Sequence, residues 1–283
     1  MRDPVTLLPH RSTHVIAPDG VSLAVQEWGT ALGRPVLFIH GYSQSGLCWR
    51  RQVESDALAH LRLVTFDLRG HGASDKPLEP VHYQQESRWA GDLAALIDQL
   101  ALERPVVVGW SYGGRVICDY LRHHGDAALG GVVFVDAVVA TERALFGSCN
   151  NLMRLMGSED LATNIAATRA FLRKCFEIPL DADSFEITLA ANMMTPPQVR
   201  ASMGGRPTDY APELAALTRP VLAVHGRKDQ VILPAMSDRI AAQASGAEHV
   251  VFETCGHAPF LEAPEAFNAL LAGFIARAQH SLK

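Results

Sequence analysis

The chain has 283 residues, of which 48% are apolar and 19% charged. At roughly 150 residues per domain that is about two compact units or one large one, and the apolar share excludes intrinsic disorder. Twenty-five basic against 30 acidic residues give a net charge of −5; with no Lys/Arg cluster, a grip on nucleic acid or an anionic membrane surface is not expected.

The opening segment, residues 1–15, has no apolar run behind a basic end, so no secretory leader is expected. No stretch reaches about 18 apolar residues, so no membrane span is expected either. Cys48, Cys118, Cys149, Cys175 and Cys255 are scattered without a C-x-x-C pair, which fits reduced thiols and a cytoplasmic protein. Twelve histidines form no metal-ligand pattern, so no metal is expected. His123 and His124 are expected at the surface.

In chain order, 13–17 and 21–28 flank the turn Pro18-Asp19-Gly20 and read as an antiparallel hairpin. Short apolar runs follow at 36–39, 63–67, 106–109, 132–136, 221–225 and 250–253. Each is apolar on consecutive positions, as expected of strands buried on both faces of a parallel sheet. Helical stripes lie between them. One carries Trp89, Leu93, Leu96, Ile97 and Leu100, another follows Ser111 to Gly125, and the last runs through Phe267, Leu270, Leu271, Phe274 and Ile275 behind Pro264. Alternating strands and helices predict an α/β fold: a mostly parallel eight-stranded sheet flanked by helices.

The alternation stops between about 138 and 218. That stretch has helical pieces at 145–156 and 161–176 and loop pieces at 195–197 and 204–207, but no convincing strand. It is expected to be a helical cap inserted between strands six and seven, dividing the chain into a core of 1–137, the cap of 138–218 and a core of 219–283. Five of the seven methionines fall there. Most serve the cap's own packing, but Met153, Met193 and Met194, with Trp110 from the core, are candidates for an adaptable apolar pocket.

Chemistry enters at Gly109-Trp110-Ser111-Tyr112-Gly113. A buried strand runs into this G-x-S-x-G and a helix leaves it, the setting of a nucleophile elbow. Ser111 is therefore the candidate nucleophile. Gly109 and Gly113 are required because a Cβ at either would strike the neighbouring strand or helix.

These residues, with His40-Gly41-Tyr42 after the third strand and Asp67-Leu68-Arg69-Gly70-His71-Gly72-Ala73-Ser74 after the fourth, resemble the α/β-hydrolase family over nearly the whole chain. Within it the sequence looks closest to esterases and cofactor-free haloperoxidases (perhydrolases); Ser111 stands where epoxide hydrolases and dehalogenases carry Asp. The resemblance implies that His257, in Cys255-Gly256-His257, is the base, and that Asp229, in His225-Gly226-Arg227-Lys228-Asp229, is the acid. Asp136, ending the sixth strand, is a rival for the acid. Arg227 and Lys228 would help keep Asp229 ionised if they turned toward it. The backbone N–H groups of Tyr42 and Tyr112 are the implied oxyanion hole. The expected reaction is hydrolysis of a carboxylic ester or lactone with an apolar moiety through an acyl-enzyme, with no cofactor. Perhydrolysis, hydroxynitrile lyase chemistry or a non-catalytic receptor are the alternatives. Oligomeric state is not legible.

Overall fold

The computed structural model describes residues 9–280; the first eight residues, which the leader reading includes, lie outside them. The hairpin forms as expected from β1 (Arg11–Ile16) and β2 (Ser22–Gly29), and Gly20 takes the left-handed φ of 86° that closes the turn. β3 (Pro35–Ile39), β4 (Arg62–Phe66), β5 (Val106–Trp110), β6 (Gly131–Val135), β7 (Val221–Gly226) and β8 (Glu248–Phe252) complete one eight-stranded sheet. Its spatial order is β1-β2-β4-β3-β5-β6-β7-β8, and every pairing beyond β2–β4 is parallel.

β3, β5, β6 and β7 are buried along their whole length, which is why their sequences are unbroken apolar runs. β8 departs from the expectation of burial on both faces. It is an edge strand, half-buried throughout, and carries Glu248 and His249.

α1 (Arg50–Val53), α2 (Val81–Gln84), α3 (Glu86–Gln99) and α4 (Tyr112–His124) precede β6. α3 packs against α4, whose buried side faces the sheet while His123 and His124 are exposed as expected. Five helices lie between β6 and β7: α5 (Asn150–Met156), α6 (Leu161–Cys175), α7 (Ala182–Met193), α8 (Pro197–Ser202) and α9 (Ala211–Ala215). α10 (Ala235–Gln243), α11 (Pro259–Glu262) and α12 (Pro264–His280) complete the chain order.

The inserted segment holds no strand among the described residues, only the isolated bridges Ala140–Asp209 and Phe146–Ile232. It leaves and rejoins the sheet through one neck, where Thr141 N donates to Thr208 O at 3.0 Å and Thr208 N to Thr141 Oγ1 at 3.1 Å. Inside it, buried Arg200 of α8 ties the helices together. Its guanidinium donates to Met156 O at the end of α5, to Asn164 Oδ1 (2.8 Å) and Thr168 Oγ1 (2.9 Å) on α6, and to Asn192 O on α7.

Under the site, aromatic rings form a chain from sheet to helix. Phe38 meets Trp49 at 5.0 Å between centroids, Trp49 meets Phe260 at 4.3 Å, and Phe260 meets Trp110 at 5.0 Å. The site lies at the C-terminal ends of β3 and β5. There the chain steps from β3 outward to β4 and then returns to the other side, so the following loops diverge and leave a crevice.

Candidate active site

Ser111 sits between β5 and α4 with φ 53° and ψ −113°. A non-glycine residue at positive φ costs about 1–3 kcal/mol. The turn is held there by Ser111 N donating to Val135 O (2.9 Å) and by Val138 N donating to Ser111 O (2.9 Å). A Cβ on Gly109 would lie 2.7 Å from Gly113 O, and one on Gly113 would lie 2.6 Å from Ile39 O. Glycine at both positions is what lets α4 approach the sheet so closely.

His257 follows β8 and is almost wholly buried. Its main chain is fixed from both sides: its N–H donates to Cys175 O at 2.7 Å, and its carbonyl accepts from Trp110 Nε1 at 2.7 Å. Its Nδ1 lies 2.7 Å from Asp229 Oδ2, leaving Nε2 as the nitrogen free for chemistry. Asp229 is held in turn, because its Oδ1 accepts from Val231 N (2.7 Å) and Ile232 N (3.1 Å). Burial works against the charge on Asp229, but His257 and His225 beside it prevail and hold its pKa down, at about 2. Arg227 and Lys228 do not contribute as expected; both are exposed, and Arg227 pairs with Glu253 at 3.0 Å on the surface.

The rival acid is close but engaged elsewhere. Asp136 also has positive φ, 44°, and its Oδ1 accepts from Gly226 N at 2.8 Å. Burial, and then the charge of Asp229, push its pKa up to about 7 despite the pull of His225. His225 Nε2 lies 3.2 Å from Asp229 Oδ2, 3.5 Å from Asp136 Oδ1 and 2.9 Å from Ile232 O. It braces Asp229 from behind, a contact the H-G-x-x-D motif did not by itself disclose.

Tyr42 and Tyr112 line the same cavity as Ser111. Tyr112 opens α4, so its N–H is one of those at a helix start with no acceptor within the helix. The loop carrying Tyr42 is bolted down by two buried histidines whose rings lie 5.1 Å apart. His40 Nδ1–H donates to Gly41 O (2.8 Å) while its Nε2 accepts from Leu68 N (2.9 Å). His71 Nδ1–H donates to Arg69 O (2.9 Å) while its Nε2 accepts from Ser43 N (3.2 Å). In this arrangement both rings are neutral. Burial drives their pKa values down, to about 4 for His40 and about 3 for His71. The Tyr42 hydroxyl donates to Arg200 O at 3.3 Å, joining the loop to the inserted helices.

Ser111 and His257 open on one cavity of about 580 Å³ between the sheet and the inserted helices. Of the expected lining, Trp110 and Met153 are there, with Tyr42 and Tyr112. Met193 and Met194 are not among the residues lining it. They stand at the end of α7, where the buried side chains are Ala191 and Asn192; Met194 is half-exposed, and the Met193 sulfur lies 4.0 Å from Arg200 Nη2. Phe146, Phe171 and Met203 supply apolar wall instead, and Arg115, Arg154 and Arg200 supply positive charge, which the sequence reading missed. Asp136, Asp229 and His257 each place one ligating atom within 4.8 Å of the others, but the two shortest-linked of them are already bound together as acid and ring.

An eight-stranded, mostly parallel sheet with a serine on a strained turn after β5 defines a class. The sequence profile of the alpha/beta hydrolase family matches residues 36–270, and the chain belongs to that family and is a hydrolase. The crystal structure of a candidate aryl esterase from Burkholderia cenocepacia is similar to it with a TM-score of 0.93 and 39% identity, covering 95% of this chain and 100% of that one. Esterase RhEst1 from Rhodococcus sp. ECU1013 is similar with a TM-score of 0.88 and 32% identity, over 94% of this chain and 98% of that one. A non-heme chloroperoxidase of Streptomyces lividans is 26% identical over 279 residues, 92% of this chain and 98% of the relative. Among the described residues no helix is long and apolar enough to cross a membrane.

Proposed function

We propose that this hydrolase cleaves carboxylic esters or lactones through Ser111, His257 and Asp229. The observation that carries the reading is the opening of Ser111 and of a His257–Asp229 pair bonded at 2.7 Å onto the same cavity. A serine hydroxyl is a weak nucleophile at neutral pH and needs a base; that base needs a carboxylate to fix its tautomer and to stabilise the cation it becomes. With Nδ1–H donated to Asp229, His257 Nε2 takes the Ser111 proton as Oγ attacks the carbonyl. The tetrahedral oxyanion is held by the N–H groups of Tyr42 and Tyr112, each worth about 2.7–4 kcal/mol of barrier, with α4 pointing its N-terminus at the charge. Imidazolium then protonates the leaving alkoxide, and water, activated by the same ring, releases the acid. Residues 138–218 act as a cap over the cores 1–137 and 219–283, and the substrate is a small molecule with an apolar part. No cofactor enters this cycle.

The esterase neighbours at 39% and 32% identity support ester chemistry. The chloroperoxidase relative favours a second use of the same acyl-enzyme, in which hydrogen peroxide replaces water and a peracid leaves. The test is labelling by a fluorophosphonate probe together with turnover of 4-nitrophenyl acetate. Wild-type protein should label and turn over, and Ser111→Ala should do neither. Labelling that persists in Ser111→Ala would remove Ser111 as nucleophile.

A further inference from the structure

Four arginines are buried among the described residues: Arg69, Arg115, Arg200 and Arg206. Two lie outside the cavity lining, and both have carboxylates. Arg69 Nε sits 2.7 Å from Asp92 Oδ2 and its Nη1 sits 2.8 Å from Asp19 Oδ2. Arg206 pairs with Asp119 in bidentate fashion at 2.9 and 2.6 Å. The other two, Arg115 and Arg200, line the catalytic cavity, and among the described residues neither has an ion-pair partner within 4.0 Å. A third, exposed Arg154, stands on the same lining, and no Asp or Glu does. Among the described residues, then, the two buried arginines bonded to carboxylates lie off the cavity and the two without such a bond lie on it.

The two buried cations are not equally available. Arg200 spends its terminal nitrogens on the inserted helices. Arg115 belongs to the first turns of α4, four residues after Ser111, and only its Nη2 is engaged, with Arg206 O. Its Nε is buried without a partner, as are those of Arg200 and Arg206, and its guanidinium carbon lies 5.6 Å from the Tyr112 ring centroid. Asp119, one turn on along α4, feels the charge of Arg115, but its oxygens are bonded to Arg206 and Tyr210, so Arg115 keeps donors that no carboxylate takes, and a substrate carboxylate matches its fork.

Resting on the ester-hydrolase reading, we propose that Arg115 receives an anionic group of the substrate: a carboxylate carried by the ester, as in a monoester of a dicarboxylic acid or an acylated hydroxy acid. Phe146, Phe171 and Met203 would pack the carbon chain between the charge and the scissile bond. Hydrolysis adds one water across the acyl–oxygen bond and leaves the arginine's partner unchanged.

The experiment compares kcat/KM for monomethyl glutarate with that for methyl valerate, and for the acetyl ester of 3-hydroxypropionate with that for propyl acetate. In at least one pair the anionic ester should lead by about tenfold or more, the size of one charge-assisted hydrogen bond. Arg115→Gln should bring that ratio toward one, and Arg115→Lys should retain part of it. In parallel, glutarate binding to Ser111→Ala is measured by calorimetry, and adding Arg115→Gln should weaken it about tenfold or more. The variants' melting curves show whether they are folded, and the lysine variant keeps the test open if the glutamine variant is not. Neutral esters preferred in both pairs, a ratio unmoved in Arg115→Gln, or no glutarate binding to Ser111→Ala would each overturn the proposal. Glutarate bound through Arg115 by a protein that cleaves no ester would instead overturn the esterase reading and leave the anion site standing.

Discussion

Asp229 and Asp136 are two buried carboxylates at the ends of neighbouring strands, and their surroundings push them apart. Asp229 accepts two backbone N–H groups and faces two histidines, so it stays ionised; Asp136 has one backbone donor, and its Oδ2 has no partner among the described residues. Divergent environments of this kind separate the working acid from its neighbour. Asp229→Asn is expected to lower kcat by about 10⁴-fold with the fold intact, because the amide would favour the wrong histidine tautomer. Asp136→Asn is expected to cost about tenfold or less, since about half of this group is already protonated at pH 7. Steady-state rates of both variants, with circular dichroism to check folding, decide the assignment; the reverse ranking would make Asp136 the acid. The positive φ of both Ser111 and Asp136 marks where the main chain has been forced to present these side chains.

Among the elements, the loop after β3 depends most on a protonation state. Each of its two histidine bolts accepts a backbone N–H on Nε2, and protonation replaces that acceptor with a second donor facing the same N–H. Folded pKa values of about 4 and about 3 lie below the ordinary 6.5. The stabilisation is therefore complete above about 6.5 and declines as pH falls toward the folded values, since the unfolded chain takes up the protons first. Below 6.5 each ring should cost about 1.4 kcal/mol per pH unit. Asp136, held up at about 7, takes up its proton in the folded state first and offsets part of this loss, so the reading is the difference between two proteins: between pH 7.5 and 5 the urea midpoint of His71→Gln, though lower at pH 7.5, should lose less than that of the wild type. Equal slopes in the two proteins would count against this account.

The strands were readable at this scale because a strand covered on both faces must be apolar at every position, and six such runs stand in the chain. β8 was assigned too much burial because an edge strand with Val250 and Val251 at its centre resembles a buried one. α7 escaped notice because it buries little more than Ala191 and Asn192 and so carries no one-sided stripe. Its start was nonetheless encoded, in Asp181 capping Ser184 N at 2.8 Å.

For the molecule as a whole, what was legible in the sequence followed the motifs. Ser111, His257 and Asp229, the proposed triad, each stand in a short run whose glycines have a steric reason, so single segments suggested them. The cavity was not legible because no segment contains it. Arg115 comes from the helix behind the nucleophile, Arg154 and Arg200 from two inserted helices, and their shared surroundings exist only after folding. A buried arginine with a carboxylate and one without look identical in one dimension.

The neck at Thr141 and Thr208 has a consequence for how such a protein can change. Sixty-seven positions separate the two residues, yet they meet as closely as the ends of a hairpin. To the sheet, everything between them is therefore one surface loop, and the entropy of closing it grows only slowly with length. A different helical excursion could be spliced in at this pair without disturbing any strand register, provided it offers a carbonyl where Cys175 O now holds the His257 N–H and a cation where Arg206 now meets buried Asp119. A chimera carrying the corresponding segment of a relative should keep the parent's far-ultraviolet spectrum and its reaction with fluorophosphonate while taking the donor's order of preference on an ester panel. The parent's order of preference in such a chimera would place selectivity in the sheet instead. The lineage would then be one engine with interchangeable front ends, its chemistry inherited through the strands and its diet through the loop.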